Sequence, residues 1–186
     1  TQVSLLKMLS LNDHQKDLHQ YLQKLKIIPV SISYEFDPCA FLKTREFLEK
    51  QEKSTYKKSF HQDAEHLLLG IKGHKGAVHF HFEKPLHRRL NQLESVGSNK
   101  EKIERLAQII DKSIHLNYKL NPINYYAYDY LMQSRAFEAY YKGPAEDSLS
   151  TYFEMLIEML PIKWKDAGTE YLHKIYAYPV KNAISY

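Results

Sequence analysis

His79 and His81, in the stretch AVHFHFEKPL, are two residues apart. On a β-strand that spacing puts both imidazoles on one side, about 7 Å from each other. Two histidines placed this way can share a metal ion, with His74 in the preceding loop as a third donor. Zinc needs three or four ligands, and no Cys, Asp or Glu cluster completes this set, so polar histidines facing a helix or solvent are the favoured reading. Cys39 follows Asp37-Pro38 at what reads as a helix start, where the helix dipole can lower a thiol pKa. No base stands beside it in sequence, and a small filling side chain is its favoured role. The loop GIKGHKG at 70–76 carries three glycines and two lysines and can approach a phosphate. It matches neither the P-loop nor the dinucleotide pattern, and a turn between helix and strand accounts for its glycines.

The elements that must position these residues follow from periodicity. In LNDHQKDLHQYLQKL, Asn12 or Asp13 can cap a helix whose Leu18, Leu22 and Leu25 share one face. Residues 27–36 then alternate. Ile28, Val30, Ile32, Tyr34 and Phe36 make a bulky apolar face, and Ile27, Pro29, Ser31, Ser33 and Glu35 make a smaller, semi-polar one. DPCAFLKTREFLEKQEK starts a helix with Asp37 as cap and Pro38 in the first position, where its missing N–H costs nothing. HQDAEHLLLG reads as another helix, ending at Gly70. A second strand follows, with Val78, Phe80 and Phe82 on one face and His79 and His81 on the other.

Beyond Pro85 the pattern is helical. Ser98 and Glu101 form a capping box before Ile103, Leu106, Ala107, Ile110 and Ile114. Further helices are predicted near 123–141, 147–160 and 166–177. YFEMLIEMLPIKW places Phe153, Leu156, Ile157 and Leu160 on one face. Its polar side carries Glu154 and Glu158 where a membrane-surface helix carries Lys and Arg, so packing in a core or against a partner is favoured. EKPLHRR, with Lys84, Arg88 and Arg89, is the better candidate for anionic headgroups. The tyrosines of NYKLNPINYYAYDY read as a packed helical layer. Two strands separated by helices predict a parallel, buried pair with a right-handed crossover. A parallel sheet needs more strands than two, so the chain reads as the C-terminal end of a longer α/β protein. That Thr1 opens directly into TQVSLLKMLS agrees.

Composition narrows the function classes. Of 186 residues 44% are apolar, enough for an ordinary core. The net charge of +4 is spread among mixed Lys, Arg, Asp and Glu, which argues against nucleic acid as a partner. One cysteine cannot form an internal disulfide and points to a reducing, cytoplasmic compartment. There is no stretch of 18 apolar residues and no signal-peptide pattern.

The strand IIPVSISYEFDP resembles the fourth conserved block of the glycerolipid acyltransferases, an apolar-Pro-apolar-x-Ile strand matched by Ile28, Pro29, Val30 and Ile32. TQVSLLKMLSL, SYEFDPC, GIKGHKGAVHFHFEKPL and IDKSIHLNYKLNPINYYAYD extend the likeness to bacterial 1-acyl-glycerol-3-phosphate acyltransferase-like proteins over residues 1 to about 130. The resemblance implies an α/β fold. Residues 1–90 would be the C-terminal part of the acyltransferase domain, with few, mostly parallel strands, and residues 91–186 a helical extension. It implies transfer of a fatty acyl group from acyl-CoA or acyl carrier protein to a glycerol-phosphate or lysophospholipid hydroxyl, with no cofactor. It also implies peripheral attachment at the inner face of the cytoplasmic membrane. Ile28, Pro29, Val30 and Ile32 would help form the acyl-chain or acyl-donor cleft; a core strand with an edge proline is the equal alternative.

In such enzymes a His and an Asp in an HxxxxD motif activate the acceptor hydroxyl, the Asp fixing the imidazole tautomer. No histidine of this sequence has an Asp five residues later: His14 is followed by His19, His61 by His66 and His74 by His79. No Glu-Gly-Thr-Arg-like block occurs either. The expectation is therefore a chain without catalytic residues of its own, the catalytic segment lying upstream. A non-catalytic binding or scaffold module with the same fold is the alternative.

Overall fold

The structure is a computed structural model that describes residues 1–10, 17–53 and 55–185. The expected caps Asn12 and Asp13 lie outside the described residues. In chain order the elements are α1 (Val3–Ser10), α2 (Leu18–Lys24), β1 (Val30–Tyr34), α3 (Ala40–Glu52), α4 (Phe60–Lys72), β2 (Val78–Phe82) and a 3-10 helix (Leu86–Leu93). They continue with α5 (Asn99–Asn117), α6 (Pro122–Met132), α7 (Pro144–Glu158) and α8 (Lys165–Ile184). Single 3-10 turns precede α7 and α8. The described chain is thus mostly helical, with one two-stranded sheet.

That sheet corrects the parallel pairing. Glu35 N–H donates to Ala77 O at 2.9 Å and Glu83 N–H to Pro29 O at 3.0 Å, so the strands run antiparallel. Intervening helices suggested a crossover, but a long connection can also return the chain alongside its first strand. Period two carries no direction. The pair is not buried on both faces either.

The described residues divide into two units, one made of Thr1–Ile32 and Phe80–Lys119, the other of Ser33–His79 and Leu120–Ser185. In the first, Leu18 and Leu22 of α2 pack with Leu86, Leu90 and Leu93 of the 3-10 helix and Ile103, Leu106 and Ile110 of α5. The α5 start is built as its sequence implies: Glu101 N–H donates to Ser98 Oγ at 3.2 Å, and Ser98 N–H donates to Glu101 Oε2 at 3.0 Å.

The second unit is centred on aromatic rings. Phe153, Leu156 and Leu160 of the α7 segment are buried with Leu172, Tyr176 and Ala127, so the core reading of YFEMLIEML holds. Asn124 ties α6 to α8, its Nδ2 donating to Tyr176 O at 2.9 Å. The helix predicted over 123–141 breaks at Gln133, which takes a left-handed conformation with φ 49°. Buried Asp129 holds the reversed chain. It accepts from Ser134 Oγ at 2.7 Å, Phe137 N–H at 2.8 Å and Tyr141 Oη at 3.0 Å. Burial and this carboxylate push the Tyr141 phenol up to about 12. Asp129→Ala removes the acceptor of all three donors and is expected to cost about 2 kcal/mol in denaturant unfolding; an unchanged midpoint would show the carboxylate to be dispensable.

Candidate functional site

Pro29 stands one residue before β1 and is buried. Its carbonyl joins the ladder through Glu83, and its position outside the strand makes the missing N–H harmless. From there the side chains alternate, in an unexpected sense. Ser31 is 2% exposed, and its Oγ donates to Asn117 O at 2.9 Å at the end of α5. Glu83 accepts from Asn117 Nδ2 at 3.0 Å on the same segment, and Lys84 N–H, its strongest influence, helps to lower its carboxyl pKa. The small, semi-polar side of the strand is therefore the packed side.

At Ile28, Val30 and Ile32 the bulky side faces solvent, whereas Tyr34 is half-buried and Phe36 packs against the core of the second unit. The register set by Pro29–Glu83 and Glu35–Ala77 puts Ile32 opposite Phe80 and Val30 opposite Phe82. These are non-hydrogen-bonded positions, where cross-strand side chains come closest. Ile32 is 43% exposed, Phe80 54% and Phe82 70%, and Ile28 and Val30 are open as well. Five apolar side chains thus share one uncovered sheet face. Of the four residues matched to the acyltransferase block, Ile28, Val30 and Ile32 point outward and Pro29 inward.

The second unit contains a cleft of about 520 Å3, walled by Phe36, Phe41, Leu69, Tyr152 and Met155, with Asp37 and His74 among its polar groups. Phe36 stacks on His74, ring centres 5.8 Å apart, and leans on Tyr152 at 4.8 Å. Asp37 N–H donates to Tyr176 Oη at 2.9 Å, and the Tyr176 and Tyr152 hydroxyls share a hydrogen bond of 2.7 Å. Burial raises both phenol pKa values, so these hydroxyls are neutral donors and acceptors, unsuited to proton abstraction near pH 7.

Cys39 is the cap residue of α3 rather than part of its first turn, and Asp37 accepts from its N–H at 2.9 Å. Burial, followed by the charge of Asp37, pushes the thiol pKa up, the reverse of what a dipole-activated nucleophile needs. Iodoacetamide at neutral pH is expected to modify Cys39 several-fold more slowly than free cysteine; faster modification would show an activated thiol. The glycine loop is a turn, though its helix runs on through Gly70 to Lys72. Gly76 has φ 60°, and a Cβ there would run into Glu35 and Phe36. His79 and His81 are each half-buried, and among the described residues no group of three or more His, Cys, Asp or Glu is arranged to hold a metal. No helix among them is long and apolar enough to cross a membrane. The chain matches no protein-family model, no curated protein and no solved structure.

Sequence reasoning found the strand and its two faces but missed the roles of Asp129, Asn124 and His173, which are buried polar residues. Asp129 and Asn124 interrupt the tyrosine run of α6, and a polar residue at helical spacing inside an aromatic stretch was the available signal.

Proposed function

We propose that this chain is part of an acyltransferase. The enzyme moves a fatty acyl group from coenzyme A or acyl carrier protein to a hydroxyl of glycerol phosphate or a lysophospholipid, and Ile28, Val30 and Ile32 form a wall for the acyl donor. The observation that carries this reading is the outward apolar face of β1. A strand that buries Ser31 while exposing Ile32 has its apolar side free for something other than its own core. Five residues of strand extend about 17 Å, a suitable length for an alkyl chain, and each methylene buried against such a face contributes about 0.8 kcal/mol.

On this reading the two strands and their helices are the C-terminal part of an acyltransferase-like α/β domain, followed by a helical extension. The His–Asp pair that activates the acceptor hydroxyl belongs to a portion outside this sequence. Lipid acceptors place the enzyme peripherally at the inner face of the cytoplasmic membrane. A second reading, a binding or scaffold module without chemistry, draws on the neutral tyrosines of the cleft and the unactivated Cys39.

Incubation of the chain with labelled acyl-CoA and either glycerol 3-phosphate or a lysophospholipid is expected to give saturable acyl-CoA binding without turnover. An upstream coding sequence containing HxxxxD supports the enzyme, and one without it supports the scaffold. Robust turnover by the chain alone would overturn the assignment of the catalytic pair elsewhere.

A further inference from the structure

We propose that α4 pairs antiparallel with the same helix of a second copy of this chain, through an apolar stripe that stands uncovered among the described residues. In FHQDAEHLLLGIK the residues Phe60, Ala64, Leu67, Leu68 and Ile71 recur at the spacing that places them on one helix face. Such a stripe ordinarily packs into the core. Here Phe60 is 84% exposed, Leu67 67%, Leu68 52% and Ile71 68%, and no residue of α4 is buried.

The helix turns its other side to its own unit. His66 O accepts from the Cys39 thiol at 3.5 Å, and His66 Nδ1 lies 3.9 Å from Glu46 Oε2 of α3. A Cβ at Gly70 would stand 3.7 Å from Cys39 Sγ, and one at Gly73 would run into Pro38. The backbone of α4 therefore rests directly on the chain that leads into α3. At 100° per residue, His66, Gly70 and Gly73 lie on roughly the opposite side of the helix from the stripe. The stripe cannot roll inward without breaking this close contact, so it faces outward by construction.

Area and shape select a second copy as the occupant. At roughly 150–200 Å2 for each complete side chain, the four large residues offer about 500 Å2 of apolar surface. That is the upper part of the range for the largest patch on a monomer. Two copies pressed together hide about 1,000 Å2, which reaches the size of a specific interface before any polar rim is counted. The stripe is also self-complementary. With Phe60 set against Ile71 of the second copy, antiparallel pairing brings Ala64 against Leu67 and Leu68, so the one small residue receives two bulky ones. Twofold symmetry repeats the arrangement in the other half. A lipid surface fits less well, because the charged residues of α4 are Asp63, Glu65 and Lys72, where a helix lying on anionic lipid carries mainly Lys and Arg. The stripe belongs to the second unit, and the pairing does not rest on the acyl-transfer reading.

The test is sedimentation equilibrium of the full chain from micromolar to millimolar concentration, where a reversible dimer of the 22.0 kDa chain is expected. Leu67→Glu combined with Ile71→Glu should raise the dissociation constant at least about tenfold. Ile162→Glu with Ile184→Glu, an equal change at exposed sites outside α4, should leave it unaltered, and circular dichroism checks both folds. Direction is read by oxidation in a Cys39→Ser background. Phe60→Cys and Ile71→Cys chains are expected to form a disulfide-linked dimer when mixed and none when each is oxidised alone. A chain that stays monomeric throughout, equal weakening in both variants, or cross-linking within each single-cysteine chain would overturn the proposal. So would flotation of a monomeric chain with phosphatidylcholine–phosphatidylglycerol vesicles that the α4 variant abolishes, since the stripe would then belong to a membrane.

Discussion

Phe153→Ala is expected to destabilise the second unit by about 4 kcal/mol, the upper part of the range for deleting a buried aromatic ring. Phe153 is fully enclosed by rings. It stacks on His173 with centres 4.0 Å apart and meets Tyr152 and Tyr176 edge-on at 5.7 and 5.5 Å. Removing it forfeits the transfer free energy of the ring and opens a cavity whose walls cannot collapse. Tyr152 and Tyr176 are held by their shared hydroxyl bond and by Asp37, and Asn124 anchors Tyr176 through its carbonyl. Total stabilities of domains run to about 5–15 kcal/mol, so the loss is a large share. Denaturant unfolding of wild type and variant measures it, and a loss under about 1 kcal/mol would show that the ring cluster is not the core of this unit.

Acidification is expected to destabilise the same unit through His173, which is 2% exposed and lies between Tyr130, at 3.8 Å, and Phe153. Its Nδ1–H donates to Thr169 O at 2.8 Å. Burial outweighs that bond and lowers the imidazole pKa to about 4. In the unfolded chain the same group titrates near about 6.5. Folding therefore selects the neutral ring. Its contribution is complete above pH about 6.5, declines as the pH falls, and is lost by about pH 4. The gap between the two values corresponds to about 3 kcal/mol. His173→Phe keeps a flat ring between Tyr130 and Phe153 and removes the titration. Wild type should lose stability between pH 6.5 and 4.5 while the variant stays level there; parallel curves would assign the acid sensitivity to other groups.

How far the sequence could be read depended on how local each determinant is. The α5 capping box was readable because Ser98 and Glu101 carry the whole interaction within one turn. The apolar stripe of α7 was readable because its spacing alone defines the buried side. Both strands were visible from alternation, but their direction depends on backbone hydrogen bonds that leave no trace in residue type. The buried side of β1 was also hidden. Period two separates Ser31 from Ile32, yet only the tertiary neighbours, here Asn117 at the end of α5, decide which packs inward. The break in the predicted 123–141 helix was obscured for a related reason: Gln133 takes the left-handed conformation without being glycine, held by the contacts of Asp129. The resemblance singled out Ile28, Pro29, Val30 and Ile32, and the exposure of three of them is the physical reason for proposing that they form a surface for a ligand.

The outward strand face as an acyl-binding wall is most directly tested by methyl NMR of the chain titrated with a long-chain acyl-CoA below its micelle concentration. The expected result is saturable shifts of the Ile28, Val30 and Ile32 methyls, with the buried Ile103 and Ile123 methyls unmoved. Still methyls at all three strand positions, or shifts spread equally to Ile103 and Ile123, would contradict it.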